Sequence, residues 1–506
     1  MAPAASQSTP APRDHAAADV PAALRPWIER VATVPHTDAY PGVDELLAGF
    51  RALATRYPER VGERRIGTST LGEPLPCFTV RADSATDRAG ADETDRGSAA
   101  RTADGEAPPH YVVVGGVHPN EPVGAVTALH LATALCEDDA LREHFGGVWD
   151  IVPCIDPDGA RLNEGWFHSP ADKRLYGRHF YRPPGDRQVE WTFPFAYRDA
   201  YFDRVLPETF ALMRLIDATR PRFLTTLHNC EAGGVYYYLN RPSPELYPLL
   251  EAIPTAAGIP LATGEPEAAH APRYAPSVYG CIDMRDAYDY LDSLGADPAD
   301  EIAGASSAAY AEPYGTFYFV TEVPHWSHPE ADDETPVRER HADVIRERAE
   351  GFRATGEVLG RLLDTAAPQL TLPTPFLAAV RDFVPSLTKI ADLETSRAEG
   401  LPDRPATVSE RYACRHSVHC FRVRVGGMLL RALGAEITAG TASPEVRACH
   451  TELLEVYAVW EAEAAPVTGD PLPIATLAGV QYAALLAAAD HSMPGGAPAP
   501  EPADRT

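Results

Sequence analysis

Residues 112–124 read VVVGGVHPNEPVG. Three β-branched residues in a row, followed by two glycines and Val117, read as a buried strand. Within one further residue the chain turns polar and presents His118 and, three positions on, Glu121. PVGAVTALHLATAL then carries a helical pattern. A strand that passes through a tight polar turn into a helix is the repeating step of an α/β sheet. The spacing of three places imidazole and carboxylate on one side of that turn. Together they form a borderline-to-hard ligand pair suited to Zn²⁺. The plain alternative is a surface His and Glu at a helix start, because the tetrapeptide is short.

Working outward, RRIGTSTLGEPLPCFTVRA reads as two strands joined by a Gly-containing turn, and WIERVATVPHTDAYPGVDELLAGFRALATRYPERV before it contains a helix with Asp44 as candidate N-cap and Leu46, Leu47 and Phe50 on one face. WDIVPCI, RFLTTLH and FYFVTEV supply further apolar strands, with helical segments near 204–219 and from 342 onward. Continuous apolar strands alternating with helices predict an α/β fold: a mixed, mostly parallel sheet covered by helices on both faces. VHCFRVRVGGMLLRALGAEI, TELLEVYAVWEAEAA and IATLAGVQYAALLAAAD predict a helical C-terminal extension. The expected organisation is a disordered tail over 1–22, a catalytic domain over 23–368 with a flexible acidic insertion at 83–109, a helical extension over 369–492, and a second tail over 493–506.

At 506 residues and 45% hydrophobic content, the chain has material for a large core. Its formal charge of −28 argues against nucleic acid and anionic membrane surfaces as partners. No stretch approaches the length of a membrane span. The first residues lack the basic and apolar regions of a secretory signal. The 8 cysteines include no close CxxC pair, which suits a reducing cytoplasm.

The remaining polar clusters fall at strand ends. Asp156, Asp158 and Arg161 follow WDIVPCI, His228 and Asn229 end RFLTTLH, and Glu322 lies inside FYFVTEVP. In open α/β sheets ligands bind beyond the carboxyl ends of strands. In that order GGVHPNEPVG, PCIDPDG, LTTLHN and FVTEVP resemble the segments of the zinc carboxypeptidase superfamily, as do RRIGTSTLGEPL before them and GASSAAYA at 304–311. The resemblance covers roughly residues 40–365. It implies one Zn²⁺ per chain held by His118, Glu121 and His228, with water in the fourth position and Glu322 as general base. It points to Arg161 as the cation for developing oxyanion charge and to Tyr290, in RDAYDYLDSLG, as an assisting tyrosine. Asn163, Glu190, Trp191 and Asn229 are the residues expected to face substrate.

One departure bears on the substrate. Family members that trim a C-terminal residue carry an Asn-Arg pair for the free carboxylate, and 160–200 contains none. With the Phe-Pro ends aligned, Glu190 and Trp191 take those places. Either Arg178, Arg182 or Arg187 substitutes, or the substrate presents something else there, such as an amine. The expected activity is zinc-dependent hydrolysis of a peptide or amide bond near a substrate terminus. The alternatives are a deacylase of small N-acyl amino acids and a catalytically inactive binding module. CRHSVHC at 414–420 has helical period and no zinc spacing, so it is expected to be ordinary helix. His325 and His328 are expected in a loop near the site mouth, without a role.

Overall fold

A computed structural model describes residues 24–82 and 108–494. The tails expected at 1–22 and 493–506 and the insertion expected at 83–109 fall, but for their edge residues, outside the described residues.

The central sheet is mixed. Its strands are β1 (Val61–Thr68), β2 (Pro74–Arg81), β3 (His110–Val114), β4 (Val148–Val152), β5 (Phe223–Thr226), β6 (His228–Gly233), β7 (Tyr236–Leu239), β8 (Arg273–Ala275), β9 (Val278–Gly280) and β10 (Phe317–Ser327). The order across the sheet is β1-β2-β4-β3-β5-β10-β7-β9-β8, and β6 continues beside β10 where β5 stops. The centre, β4-β3-β5-β10, is parallel, while β1 and β2 run antiparallel at one edge.

Alternation along β3 shows why the opening stretch behaves as it does. Val112 and Val114 pack with Leu212, Leu215 and Ile216 of α3 (Pro207–Thr219) on one face. Tyr111 and Val113 pack with Leu131 and Leu135 of α2 (Val123–Glu137) on the other. Both faces are therefore covered, and the strand has no polar position to offer. The two glycines end it for steric reasons. A Cβ on Gly115 would lie 2.4 Å from the Pro153 carbonyl oxygen, and Gly116 takes φ +65°. At the head of α2, a Cβ on Gly124 would meet Leu227 Cβ at 2.7 Å, so the helix lies tight against the strand that ends in His228.

The helix predicted around Leu46, Leu47 and Phe50 is α1 (Val43–Arg56). Its N-cap is Gly42 rather than Asp44: the Glu45 carboxylate accepts from the Gly42 N–H at 3.0 Å, and Asp44 sits inside the first turn.

The C-terminal region is helical: α4 (His341–Ala366), α5 (Pro375–Gly400), α6 (Val408–Ala439), α7 (Pro444–Thr468) and α8 (Ile474–His491). The CRHSVHC segment lies within α6, as its period predicts. Helices α4 to α7 pack on one another, and α8 returns to lie against α2 and β10. Buried on nearly every side, α8 is apolar all round, with Leu477, Val480, Leu485 and Leu486 in the main core. None of these helices is long and apolar enough to cross a membrane.

Candidate metal centre and its cavities

The turn after β3, the start of β6 and the middle of β10 converge at the carboxyl edge of the sheet. His118, Glu121 and His228 are buried, and their ligand atoms all lie within 4.8 Å of one another. His228 Nδ1 is 3.1 Å from Glu121 Oε2 and 3.7 Å from Glu322 Oε1. Parallel register places Glu322 directly beside His228.

The partners of these groups fix their orientation. His228 Nε2 lies 2.9 Å from Thr226 Oγ1, which lies 2.5 Å from the Tyr318 hydroxyl, and Tyr318 donates to Glu190 Oε1 at 3.3 Å. With Glu190 ionised, and therefore an acceptor only, the donors run one way, and His228 carries its proton on Nε2. Its Nδ1 lone pair then faces Glu121 Oε2. Two acceptors that close are stable with a cation between them. His118 Nδ1 is buried without any hydrogen-bond partner, a polar atom that a cation would satisfy. Burial first, and then the charges of Arg182 and His228, hold the His118 imidazole well below its ordinary pKa, in the neutral form a metal requires. The donor set thus fits zinc on its own chemistry.

Arg182 Nη1 donates to Glu121 Oε1 at 3.1 Å, and its Nε to Gln188 at 3.1 Å. The Asn229 N–H reaches Glu121 Oε2 at 3.3 Å. Behind the sheet, Gln481 of α8 donates from Nε2 to the His228 carbonyl oxygen at 2.6 Å. Glu322 is pushed well above the ordinary carboxylate range by burial, and further by Glu121 and Glu267.

Two cavities meet here. An inner one of about 80 Å³ is lined by the three ligands, Glu322, Arg182, Glu190, Trp191, Glu267, Tyr238 and Tyr318, among others. An outer one of about 700 Å³ shares Arg182, Trp191, Glu267 and Ile282 with it. Its far wall comes from the C-terminal helices, including Phe383 and Ile390 of α5 and Tyr412, Phe421 and Met428 of α6.

Residues 46–265 match the family model described as zinc carboxypeptidase. This match supports a metallopeptidase-like hydrolase. Among solved structures, the chain is similar to a metallo-carboxypeptidase from Burkholderia cenocepacia, at 15% identity and TM-score 0.34, over 56% of this chain and 60% of that one. It is similar to carboxypeptidase A from Helicoverpa armigera at 15% identity and TM-score 0.34, over 60% of this chain and 71% of that one. A third similarity is to bovine thrombin-activatable fibrinolysis inhibitor, at 14% identity and TM-score 0.33, over 56% and 86%. No curated protein sequence matches the chain.

Within residues 46–265 and beyond them, the structure redistributes several expected roles. Arg161 does not line either cavity: Asp44 holds its Nη2 at 2.8 Å and its Nη1 at 3.2 Å, and Glu73 holds its Nε at 2.8 Å. The guanidinium lining the inner cavity is that of Arg182. Of the other two arginines, Arg178 is paired with Glu461 of α7 and Arg187 is exposed. Asn163 is fully buried and saturated. It donates to the carbonyl oxygens of Gly159 and Tyr181 and accepts from the Tyr181 N–H at 2.9 Å, so it pins loops together and cannot reach substrate. Asn229 is committed too, accepting from the Val123 N–H and lying 2.7 Å from His325 Nε2.

Glu190 and Trp191 do line the inner cavity. Tyr290 lines only the outer one, its ring 5.4 Å from that of His270; the inner tyrosines are Tyr238 and Tyr318. His325 is not in a loop. It is buried in β10, with Nδ1 3.0 Å from the Tyr40 hydroxyl, and supports Asn229.

Sequence reasoning missed Glu267, Gln481 and the Thr226–Tyr318 relay. Thr226 and Tyr318 sit in recognisable strands, and alternation could have placed Tyr318 on the same face as Val320 and Glu322. Glu267 lies in a stretch without any periodic signal.

Proposed function

We propose that the chain is a zinc-dependent hydrolase that cleaves a peptide or amide bond near the end of a small substrate. The observation that carries this reading is the convergence of His118, Glu121 and His228 with Glu322 at the closed end of a walled cavity. Bound by those three residues, zinc would supply the Lewis acidity that polarises the scissile carbonyl and acidifies water. The chain's own groups do the rest. Glu322 takes the proton of the attacking water at Oε1 and delivers it to the leaving nitrogen. Arg182 stands at the junction of the two cavities as the fixed cation for negative charge developing on the carbonyl oxygen.

The outer cavity, closed on one side by α5 and α6, has the size of a small-molecule or peptide-end site. Peptides and amide-containing small molecules are therefore the proposed substrates. The 8 cysteines are all free, which favours a reducing compartment such as the cytoplasm.

The test is zinc-reconstituted protein incubated with a mixed library of peptides, isopeptides and acyl-amino acids, with products read by mass spectrometry. Metal-dependent amide cleavage is expected, and Glu322→Gln should keep its zinc while losing turnover by about 10³-fold. Near-wild-type rates in that variant would refute the assignment of Glu322. Release of acyl acids without any peptide cleavage would move the chain to the deacylases.

A further inference from the structure

The inner cavity is acidic beyond the needs of a metal. Four carboxylates line it, those of Glu121, Glu190, Glu267 and Glu322, against the single guanidinium of Arg182. Glu121 and Glu322 border the candidate ion, and Arg182 pairs with Glu121.

Of the other two, Glu267 accepts from the Tyr236 and Tyr238 hydroxyls and also lines the outer cavity, whereas Glu190 lines the inner one alone. It is buried, and all its donors are neutral. Oε1 accepts from the Ser307 N–H at 3.1 Å, the Ser307 hydroxyl at 2.8 Å and the Tyr318 hydroxyl at 3.3 Å. Oε2 has only a longer share, 3.0 Å, of the same Ser307 hydroxyl. Among the described residues no Lys or Arg pairs with it. A carboxylate offers about four acceptor sites, so Oε2 keeps capacity toward the cavity. The neighbouring walls, Cys281, Ile282 and Val320, carry no charge.

From this geometry we infer that the inner cavity is an ammonium pocket: it takes the amine half of an amide substrate whose second, protonated nitrogen is held by Glu190. The inference rests on the hydrolase reading for the side of the bond that is released. Water oxygen bonds to the carbonyl carbon, the carbon–nitrogen bond breaks, and the water proton passes to the leaving nitrogen. The acid product lies in the outer cavity and a short diamine or amino-amide in the inner one. About 80 Å³ accommodates a chain of roughly two or three heavy atoms beyond the reacting nitrogen. A free carboxylate at that end would meet Glu190, which no Lys or Arg among the described residues pairs, in a buried site, which is strongly unfavourable.

Three matched probes test this: N-benzoylethylenediamine, N-benzoylpropylamine and N-benzoylglycine, which end in an ammonium, a methyl and a carboxylate. Titration calorimetry on zinc-loaded, full-length Glu322→Gln protein measures binding without turnover. The ammonium probe should bind about tenfold or more tighter than the methyl probe, with the carboxylate probe weakest. Adding Glu190→Gln should erase the ammonium advantage, whereas adding Ser307→Ala, which keeps the charge, should preserve it. The comparison within the unmodified pocket stands even if the Glu190 variant fails to fold. Equal affinities, a preference for the carboxylate probe, or no binding of the ammonium probe overturns the inference. Turnover of the three probes by zinc-loaded wild type is read separately: the predicted binding order without any turnover would sink the hydrolase reading and leave the ammonium pocket standing.

Discussion

His118, Glu121 and His228 form one cluster of histidine and carboxylate, and Glu265, His341 and Glu410 form another from the same residue types. The second joins the loop that carries Glu265 to the C-terminal helices. Both contain a buried imidazole with an unpartnered Nδ1, on His118 and on His341. They part company in what already holds their acids. In the second cluster Arg397 and His341 take Glu265, and Arg404 grips Glu410 with both nitrogens at 2.6 and 2.9 Å. Against the burial that would raise it, His341 and the guanidiniums of Arg397 and Arg348 bring the Glu265 carboxyl down to about 2. In the first cluster one guanidinium serves several acids, and burial dominates, pushing Glu322 up. An arrangement of ligand-type residues becomes a metal site when its lone pairs are still uncommitted; where arginines have satisfied them, the same residues are an internal clamp.

The largest expected effect tests that distinction directly. His118→Ala or Glu121→Ala should abolish stoichiometric zinc and with it all turnover, whereas His341→Ala and Glu410→Ala should retain one zinc per chain by metal analysis after dialysis. Two zinc ions in the wild type, or loss of the ion in His341→Ala, would erase the contrast.

Acid sharpens it next. Because the folded Glu265 pKa lies below its unfolded value, its contribution is fully present above about pH 4.5 and is lost as pH falls toward 2. Glu265→Gln should lower stability by about 2–3 kcal/mol at pH 7, with the gap in Tm closing as the medium approaches pH 3. A gap independent of pH would mean that the clamp is not ionic.

The smallest effect comes from a buried acid with neither a metal nor an arginine. Asp156 caps the turn 157–161 by accepting from the Gly159 N–H at 2.8 Å, and burial raises its pKa to about 7. Here the sign reverses: a raised carboxyl weakens the fold as pH climbs from about 4 to 7. Asp156→Asn should be neutral near pH 4 and stabilising by about 1–2 kcal/mol at pH 8, read as a shift in Tm. Equal Tm differences at both pH values would count against this account.

The parts of the molecule that depend on local pattern were legible in the sequence. Continuous apolar runs disclosed β3, β4, β5 and β10, and apolar periodicity disclosed the long C-terminal helices. His118, Glu121, His228 and Glu322 were legible because each lies at or within a strand of the sheet, in an order that the family shares. Arg161 was misread because its partners, Asp44 and Glu73, come from elements some ninety to a hundred and twenty residues earlier. Asn163 was misread because nothing in its neighbourhood shows that its amide is spent on Tyr181. Such commitments are set by tertiary contacts, which a single sequence does not encode locally.

Helix α8 supplies the last piece of the frame around His228, through the amide of Gln481. The ribosome therefore releases both imidazoles and both acids of the centre long before the residue that braces their strand has been joined to the chain. Shortened forms ending ahead of residue 474 would carry every ligand and still lack the backing on which those ligands are aligned.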